Sequence, residues 1–260
     1  AQRNNGKPDG RAASVATLLA QICNAIMRHA VKEEYITANP LRDLPNQFGR
    51  DEPKEKVPLS PEEIADYLAK LAESPGMFRT TKIYLTLLLL LWCRPGELRK
   101  AEWTEFDLKN GWWHVPAEKM KMRIKHEWPL APEVVNLLTE LKTITGGSQW
   151  LFPNNRRPQD FMSTTTANRA LERLGYQGRL SAHGFRSTAS TRLEEAEVPG
   201  DYIERQLAHR EKRTVKGIYR KPEFLPQRQR MMHVWAQWRM QLASGDEISL
   251  QRLYAGVEPS

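Results

Sequence analysis

Residues Thr80–Leu98 read T-T-K-I-Y-L-T-L-L-L-L-L-W-C-R-P-G-E-L, and this stretch decides how the chain folds. The run from Ile83 to Cys93 is the longest apolar one, eleven residues between Lys82 and Arg94. That is too short to span a bilayer, which needs about 20 apolar residues. It is apolar nearly all round, so a helix over Thr80–Trp92 is expected at the centre of a core. Arg94 follows directly, and a cation at the edge of a core helix needs a partner. Glu97, three residues on, can supply one and fix the guanidinium fork for bidentate contact with an oxyanion. The bland alternative is a purely structural Arg94–Glu97 pair. Pro95 opens a short helix to about Ala101.

Outward from this stretch the pattern stays mostly helical. Upstream, Ser60-Pro61-Glu62-Glu63 combines a serine N-cap, a proline at the first helical position and a glutamate three residues after the cap. Ile64, Leu68 and Leu71 supply that helix's apolar face. Asn46 to Pro58 is a charged linker and the expected domain boundary. Before it, a helix capped by Ser14 runs to about Val31, with Leu18, Ile22, Ala25, Ile26 and Ala30 at helical spacing. Residues 1–12 are polar and expected to be disordered, and the Ala1 start suggests a piece of a longer protein. Downstream, Trp112–Val115 and Glu127–Leu130 read as strands, joined by a hairpin connection over Ala117–Lys125. Helices are expected from Pro132 to Leu141 and over 163–174, 184–196, 201–208, 214–219 and 226–243. After Ser244 only Leu250, Leu253 and Tyr254 suggest an apolar turn. The expected class is mainly α with a small antiparallel β-sheet (α+β).

The chain has 260 residues and a formal net charge of +8, which favours a polyanionic partner because positive potential attracts and retains nucleic acid. Its two cysteines, Cys23 and Cys93, lie in apolar helical patterns and suggest neither a disulfide framework nor a zinc site. A reducing, cytoplasmic setting is expected, with no membrane partner and no signal peptide.

Five further residues stand out. Ser181 reads as the N-cap of a helix whose first turns carry His183 and Arg186 on one face, while Phe185, Ala189 and Leu193 face the core. A helix N-terminus bearing a cation and a histidine suits a phosphate. Alone, H-x-x-R more often marks a solvated helix start. Asp201-Tyr202-Ile203-Glu204 reads as a second capping box, with His209 at the C-terminal end of its helix. There the dipole favours a protonated ring, although a surface histidine is the plainer account. Tyr219 lies in a field of nine Lys or Arg between Arg205 and Arg230, set against Glu211 and Glu223. Positive surroundings stabilise a phenolate, but a lone tyrosine of this kind is more often a core residue. In strand geometry Lys119, Lys121 and Arg123 would share one side of the hairpin, with Met120 and Met122 on the other, so spacing alone does not choose among the three cations.

Individually these signals are weak; their order is specific. The texts L-W-C-R-P-G-E-L-R-K-A-E-W-T-E-F-D-L, V-P-A-E-K-M-K-M-R-I-K-H-E-W-P-L, H-G-F-R-S-T-A-S-T-R-L and Q-L-A-H-R-E-K-R-T-V-K-G-I-Y-R-K, then M-H-V-W-A-Q-W, resemble the catalytic domain of tyrosine recombinases, of the phage and genomic-island integrase type. The resemblance runs from about residue 56 to 243. Trp92-Cys93 departs from it, since a small polar pair such as Thr-Gly is expected before Arg94. The wording of Ser181-Ala182-His183-Gly184 also differs slightly.

The resemblance implies a catalytic set of Arg94, Lys121, His183, Arg186, His209 and the nucleophile Tyr219. Tyr219 would form a 3′-phosphotyrosyl link and free a 5′-hydroxyl. Arg94 and Arg186 would hold the non-bridging oxygens, and Lys121 would protonate the leaving oxygen. His183 would act as general acid and base, and His209 would donate a hydrogen bond to phosphate. Glu97 would support Arg94. No cofactor and no metal are implied. Lys119, Arg123, Lys125, Arg210, Lys212, Arg213, Lys216, Arg220 and Lys221 are candidate DNA contacts.

The implied protein is a site-specific recombinase acting on double-stranded attachment sites, integrating or excising a mobile element. It would work as a homotetramer on DNA, with a monomer in solution and an accessory bending or excision factor as further expectations, in the bacterial cytoplasm near the nucleoid. Alternatives are a resolvase, a Xer-like or type IB topoisomerase-like enzyme, or a catalytically silent DNA-binding protein on this fold. The expected domains are 1–50, the end of a core-binding helical domain with its linker, then 51–245, the catalytic domain, and 246–260, a tail. The rest of the core-binding domain, and any arm-binding domain, would lie before Ala1. The helix around Met232–Leu242 could dock on a neighbour or cover its own core.

Overall fold

The computed structural model describes residues 10–44, 57–120, 123–209, 223–246 and 249–256. The chain divides into two compact units, Ala1–Glu55 and Lys56–Ser260.

In the first unit, helix α1 spans Gly10–Lys32, starting four residues before the expected Ser14 cap. It stops where Glu34 takes a positive φ of 58° and Tyr35 N–H returns to the carbonyl of Ala30. Leu18, Leu19, Ile22 and Ile26 are exposed, so the periodic apolar face read from the sequence is largely open.

The second unit is built around α3 (Arg79–Leu91), which buries ten of its residues, from Thr81 to Leu91. Around it lie α2 (Pro61–Glu73), α4 (Pro95–Arg99), α5 (Pro132–Thr145), α6 (Thr166–Arg173), α7 (Gly184–Glu195), α8 (Gly200–Gln206), α9 (Leu225–Ser244) and α10 (Leu250–Gly256). The Ser60–Glu63 capping box forms: Ser60 Oγ accepts from Glu63 N–H at 3.2 Å, and Ser60 N–H donates to Glu63 at 2.9 Å. The expected segment 214–219 lies outside the described residues.

Helix α9 covers its own core: Val234, Trp235 and Trp238 are buried, and the Trp235 indole N–H donates to the Leu89 carbonyl on α3 at 2.9 Å. The residues after Ser244 do more than form a turn. They make α10, whose Tyr254 lies under Arg230 of α9 with the guanidinium 4.9 Å from its ring.

The sheet has strand order β1-β2-β3, antiparallel throughout, with β1 at Phe106–Asp107, β2 at Trp112–Val115 and β3 at His126–Pro129. The two-residue β1 carries no alternating pattern and was not expected. Trp113 pairs in register with Phe106 on one side and Trp128 on the other, and the three rings stack at 5.2 and 4.7 Å. This apolar stack fixes the register, because a one-residue slip would turn every ring to the opposite face.

Candidate active site

The end of α3 positions Arg94. Trp92 closes the helix in the left-handed conformation, with φ 45° and its N–H bonded to Leu88 O at 3.1 Å. The indole of Trp92 is fully buried, edge-on to Trp235 at 5.8 Å. Arg94 is then extended, as a residue before proline prefers, and serves as the N-cap position of α4 with Pro95 behind it. The Tyr84 hydroxyl donates to the Pro95 carbonyl at 2.7 Å and ties α4 to α3. The expected Arg94–Glu97 pair forms. Glu97 accepts from Arg94 Nη1 at 2.8 Å and from the Arg94 backbone N–H at 3.0 Å, so one buried carboxylate orients the fork and caps the helix.

Arg186 faces Arg94 from α7. Helix α7 begins at Gly184, with His183 rather than Ser181 at the N-cap position, because a turn from Ser181 O to Gly184 N–H precedes it. His183 and Arg186 keep their three-residue spacing, yet they do not share an exposed face: His183 is exposed and Arg186 is only 4 % exposed. The Arg186 guanidinium donates to the carbonyls of Trp92 and, at 2.7 Å, Leu207. These are the C-cap residues of α3 and α8, so a buried cation meets the negative ends of two helix dipoles. Burial first, and then the neighbouring Arg94 charge, push its pKa down. Arginine remains charged even so.

His209 completes the cluster. Helix α8 does not carry the expected Asp201 capping box: Pro199 is its N-cap, and Tyr202 N–H bonds to Pro199 O at 3.0 Å. The helix ends with Ala208 at φ 50°, its N–H bonded to Arg205 O and that of His209 to Glu204 O, both at 3.1 Å. This is a Schellman turn. It places His209 Nε2 3.0 Å from Arg186 Nη2 and Nδ1 3.0 Å from Glu204 Oε2. Arg94 Nη2 donates to the Ala208 carbonyl at 3.3 Å, so the two guanidiniums bond to consecutive carbonyls, Leu207 and Ala208.

The structure therefore brings together Arg94, Arg186 and His209, with Glu97 behind them and His183 at the start of α7. Lys121, Tyr219, Arg210, Lys212, Arg213, Lys216, Arg220 and Lys221 lie outside the described residues. The strand alternation read for Lys119–Arg123 does not hold at its two described ends. Ala117–Lys119 is a 3₁₀ turn, and Arg123 has a positive φ of 53°. Lys119 is exposed but its charge is paired: its ammonium is held by Glu102 and Glu105 and lies 5.7 Å from the Trp150 ring centre. The same Glu105 accepts from the Trp113 indole at 2.9 Å. The charge of Lys119 is thus shared with two carboxylates, and Arg123 and Lys125 are exposed. Sequence reading missed Glu204 as a partner of His209, because five residues is not a helical neighbour spacing and only the turn joins them.

Residues 58–225 match the phage integrase family. The chain belongs to that family. The integrase of Enterobacteria phage P4 is 35% identical over 240 residues, which is 86% of this chain and 54% of that protein. Prophage integrase IntA of Escherichia coli K12 is 33% identical over 84% of this chain and 52% of its own length. The chain thus spans about half the length of these curated relatives. Among solved structures, a lambda integrase tetramer bound to a Holliday junction superposes with a TM-score of 0.57 at 20% identity, over 80% of this chain and 61% of that one. This likeness shows the fold of tyrosine recombinase catalytic domains, mainly helical with a small antiparallel sheet.

Proposed function

We propose that the chain is the catalytic part of a site-specific DNA integrase that cleaves and rejoins duplex DNA through a 3′-phosphotyrosine. The observation that carries this reading is the convergence of Arg94, Arg186 and His209 on one spot, held by Glu97, Glu204 and the helix-end carbonyls. Two rigid guanidiniums and an imidazole suit the non-bridging oxygens of a phosphodiester, whose charge grows in the pentavalent transition state.

In the proposed reaction the Tyr219 oxygen bonds to phosphorus and the bond from phosphorus to the 5′-oxygen breaks. The tyrosine proton passes to His183, and Lys121 protonates the departing oxygen. The phosphotyrosine conserves the bond energy, so a 5′-hydroxyl can reverse the step. Affinity resting on phosphate contacts, with Arg123 and Lys125 among the donors, should fall steeply with salt.

Residues 1–50 are read as the end of a core-binding domain, 51–245 as the catalytic domain and 246–260 as its C-terminal extension. The division after Glu55 and the family match over 58–225 support this. The partner is double-stranded attachment-site DNA, on which a homotetramer would assemble, as in the lambda integrase structure. An accessory bending or excision factor belongs to the same reading.

Nicked attachment-site DNA tests it: the protein should leave a covalent adduct on a denaturing gel, and Tyr219→Phe should leave none. An undiminished adduct in that variant would remove Tyr219 as the nucleophile. Joining of two attachment sites, against mere relaxation of supercoiled plasmid, separates an integrase from a topoisomerase-like enzyme.

A further inference from the structure

Glu204 and His209 are five residues apart, a separation at which side chains on a continuous helix do not meet. They meet because α8 closes in a Schellman turn, with Ala208 N–H on Arg205 O and His209 N–H on Glu204 O. That motif commonly brings together two apolar side chains at these places. Here it brings together a carboxylate and an imidazole, Oε2 to Nδ1 at 3.0 Å. The adjacent Arg205 is engaged with Glu223.

The second ring nitrogen, Nε2, lies 3.0 Å from Arg186 Nη2. A guanidinium only donates, so Nε2 must be the acceptor. The proton of the neutral ring must then sit on Nδ1 and be donated to Glu204. Free imidazole side chains in water favour the opposite tautomer, with the proton on Nε2. Among the described residues, the charged groups around the ring are Glu204 and Arg186, with Arg94 and its partner Glu97 beyond them.

We propose that Glu204 is a positioning residue for His209, fixing the orientation and tautomer of the ring so that Nε2 faces the Arg94–Arg186 pair. The idea rests on the reading of that pair as the phosphate site. A phosphate oxygen arriving at Nε2 is itself an acceptor, so the ring must then carry a proton on Nε2 as well. The carboxylate on the far side stabilises that doubly protonated ring and holds it still. An outer carboxylate tunes a metal-ligating histidine in the same way, and there its loss typically weakens affinity or activity about 10–100-fold.

The test uses the 260-residue chain labelled with ¹⁵N-histidine, with His209→Gln to assign the signal. In its neutral form His209 should show a protonated Nδ1 and a bare Nε2. Glu204→Gln, whose side-chain oxygen still accepts, should keep that pattern; Glu204→Ala frees the ring to turn away from Arg186 and should move the proton to Nε2. In relaxation of supercoiled plasmid, Glu204→Ala should slow the protein about tenfold. Its melting temperature should hold, because the Glu204 side chain is exposed. Added to His209→Gln, it should slow the protein no further.

An unchanged tautomer in Glu204→Ala overturns the proposal. So does an equal loss of rate from that substitution in the His209→Gln background. If His209→Gln relaxes plasmid as fast as the parent, the failure is that of His209 as a phosphate ligand, and the tautomer measurement still decides the contact with Glu204.

Discussion

Ala208 holds a left-handed conformation, φ 50°, directly beneath the two guanidiniums, and its carbonyl accepts from Arg94. An L-residue with a Cβ pays roughly 1–2 kcal/mol there, which glycine avoids. Ala208→Gly should therefore stabilise the protein by about 1 kcal/mol in urea denaturation, net of the greater chain freedom of glycine when unfolded. Ala208→Val should destabilise it by more than about 1 kcal/mol, because a β-branched residue at positive φ is a strong outlier. Trp92 sits in the same region of conformational space with φ 45°. There the strain is offset by burial of the whole indole against Trp235, so Trp92→Gly would lose far more packing than it relieves.

Elements announced by local chemistry were legible in the sequence. Helix α2 carries its own capping box, α3 an unbroken apolar run, and the pair Arg94–Glu97 a three-residue spacing that the helix start makes real. What escaped depends on places where the chain turns without a glycine. Helices α1, α7 and α8 end with Glu34, Glu197 and Ala208 at positive φ; the sequence placed the first two ends within a residue, but no residue type signals the shape of these turns. The last of them creates the Glu204–His209 contact. The connection between β2 and β3 escaped for another reason, since strand alternation was extended into a 3₁₀ turn. That difference bears on which lysine is proposed as the acid. Lys119 is tied to Glu102 and to Glu105, which is nearly buried. Lys119→Met should therefore cost about 1–3 kcal/mol of stability in denaturation, by leaving a buried carboxylate short of a partner. Lys121→Ala should block cleavage of DNA with an ordinary 5′-oxygen. A 5′-thio leaving group, which needs no proton, should restore its rate. An equal loss on both substrates would argue against Lys121 as the acid.

Across the second unit, one fully buried arginine joins the parts on which the site depends. Arg228 of α9 donates through Nε to Gln206 of α8 at 2.9 Å and through Nη2 to the Glu127 carbonyl of β3 and to His126 Nε2, the last at 3.2 Å. It thus clamps the helix that ends at His209 to the strand that follows the hairpin. Burial pulls the Arg228 pKa down to about 10, so the cation persists at neutral pH. Burial first, and then the charge of Arg228 with smaller contributions from Arg205 and Arg94, drive the His126 pKa well below its ordinary value. The folded protein holds this ring neutral, because a second proton would set two buried cations side by side. The unfolded chain protonates it near pH ~6.5. Stability should then be complete above about pH 6.5 and decline as pH falls below it, by up to about 1.4 kcal/mol per unit for this one group. His233, also lowered by burial, adds a slope of the same sign. Urea midpoints measured from neutral pH down to about pH 5 should show the decline. His126→Gln, whose oxygen can still accept from Arg228, should flatten it while leaving the His233 share. An undiminished slope in His126→Gln would move the acid sensitivity away from this clamp. Plasmid relaxation should fade over the same window, because Arg228 holds the helix whose C-terminal turn carries His209.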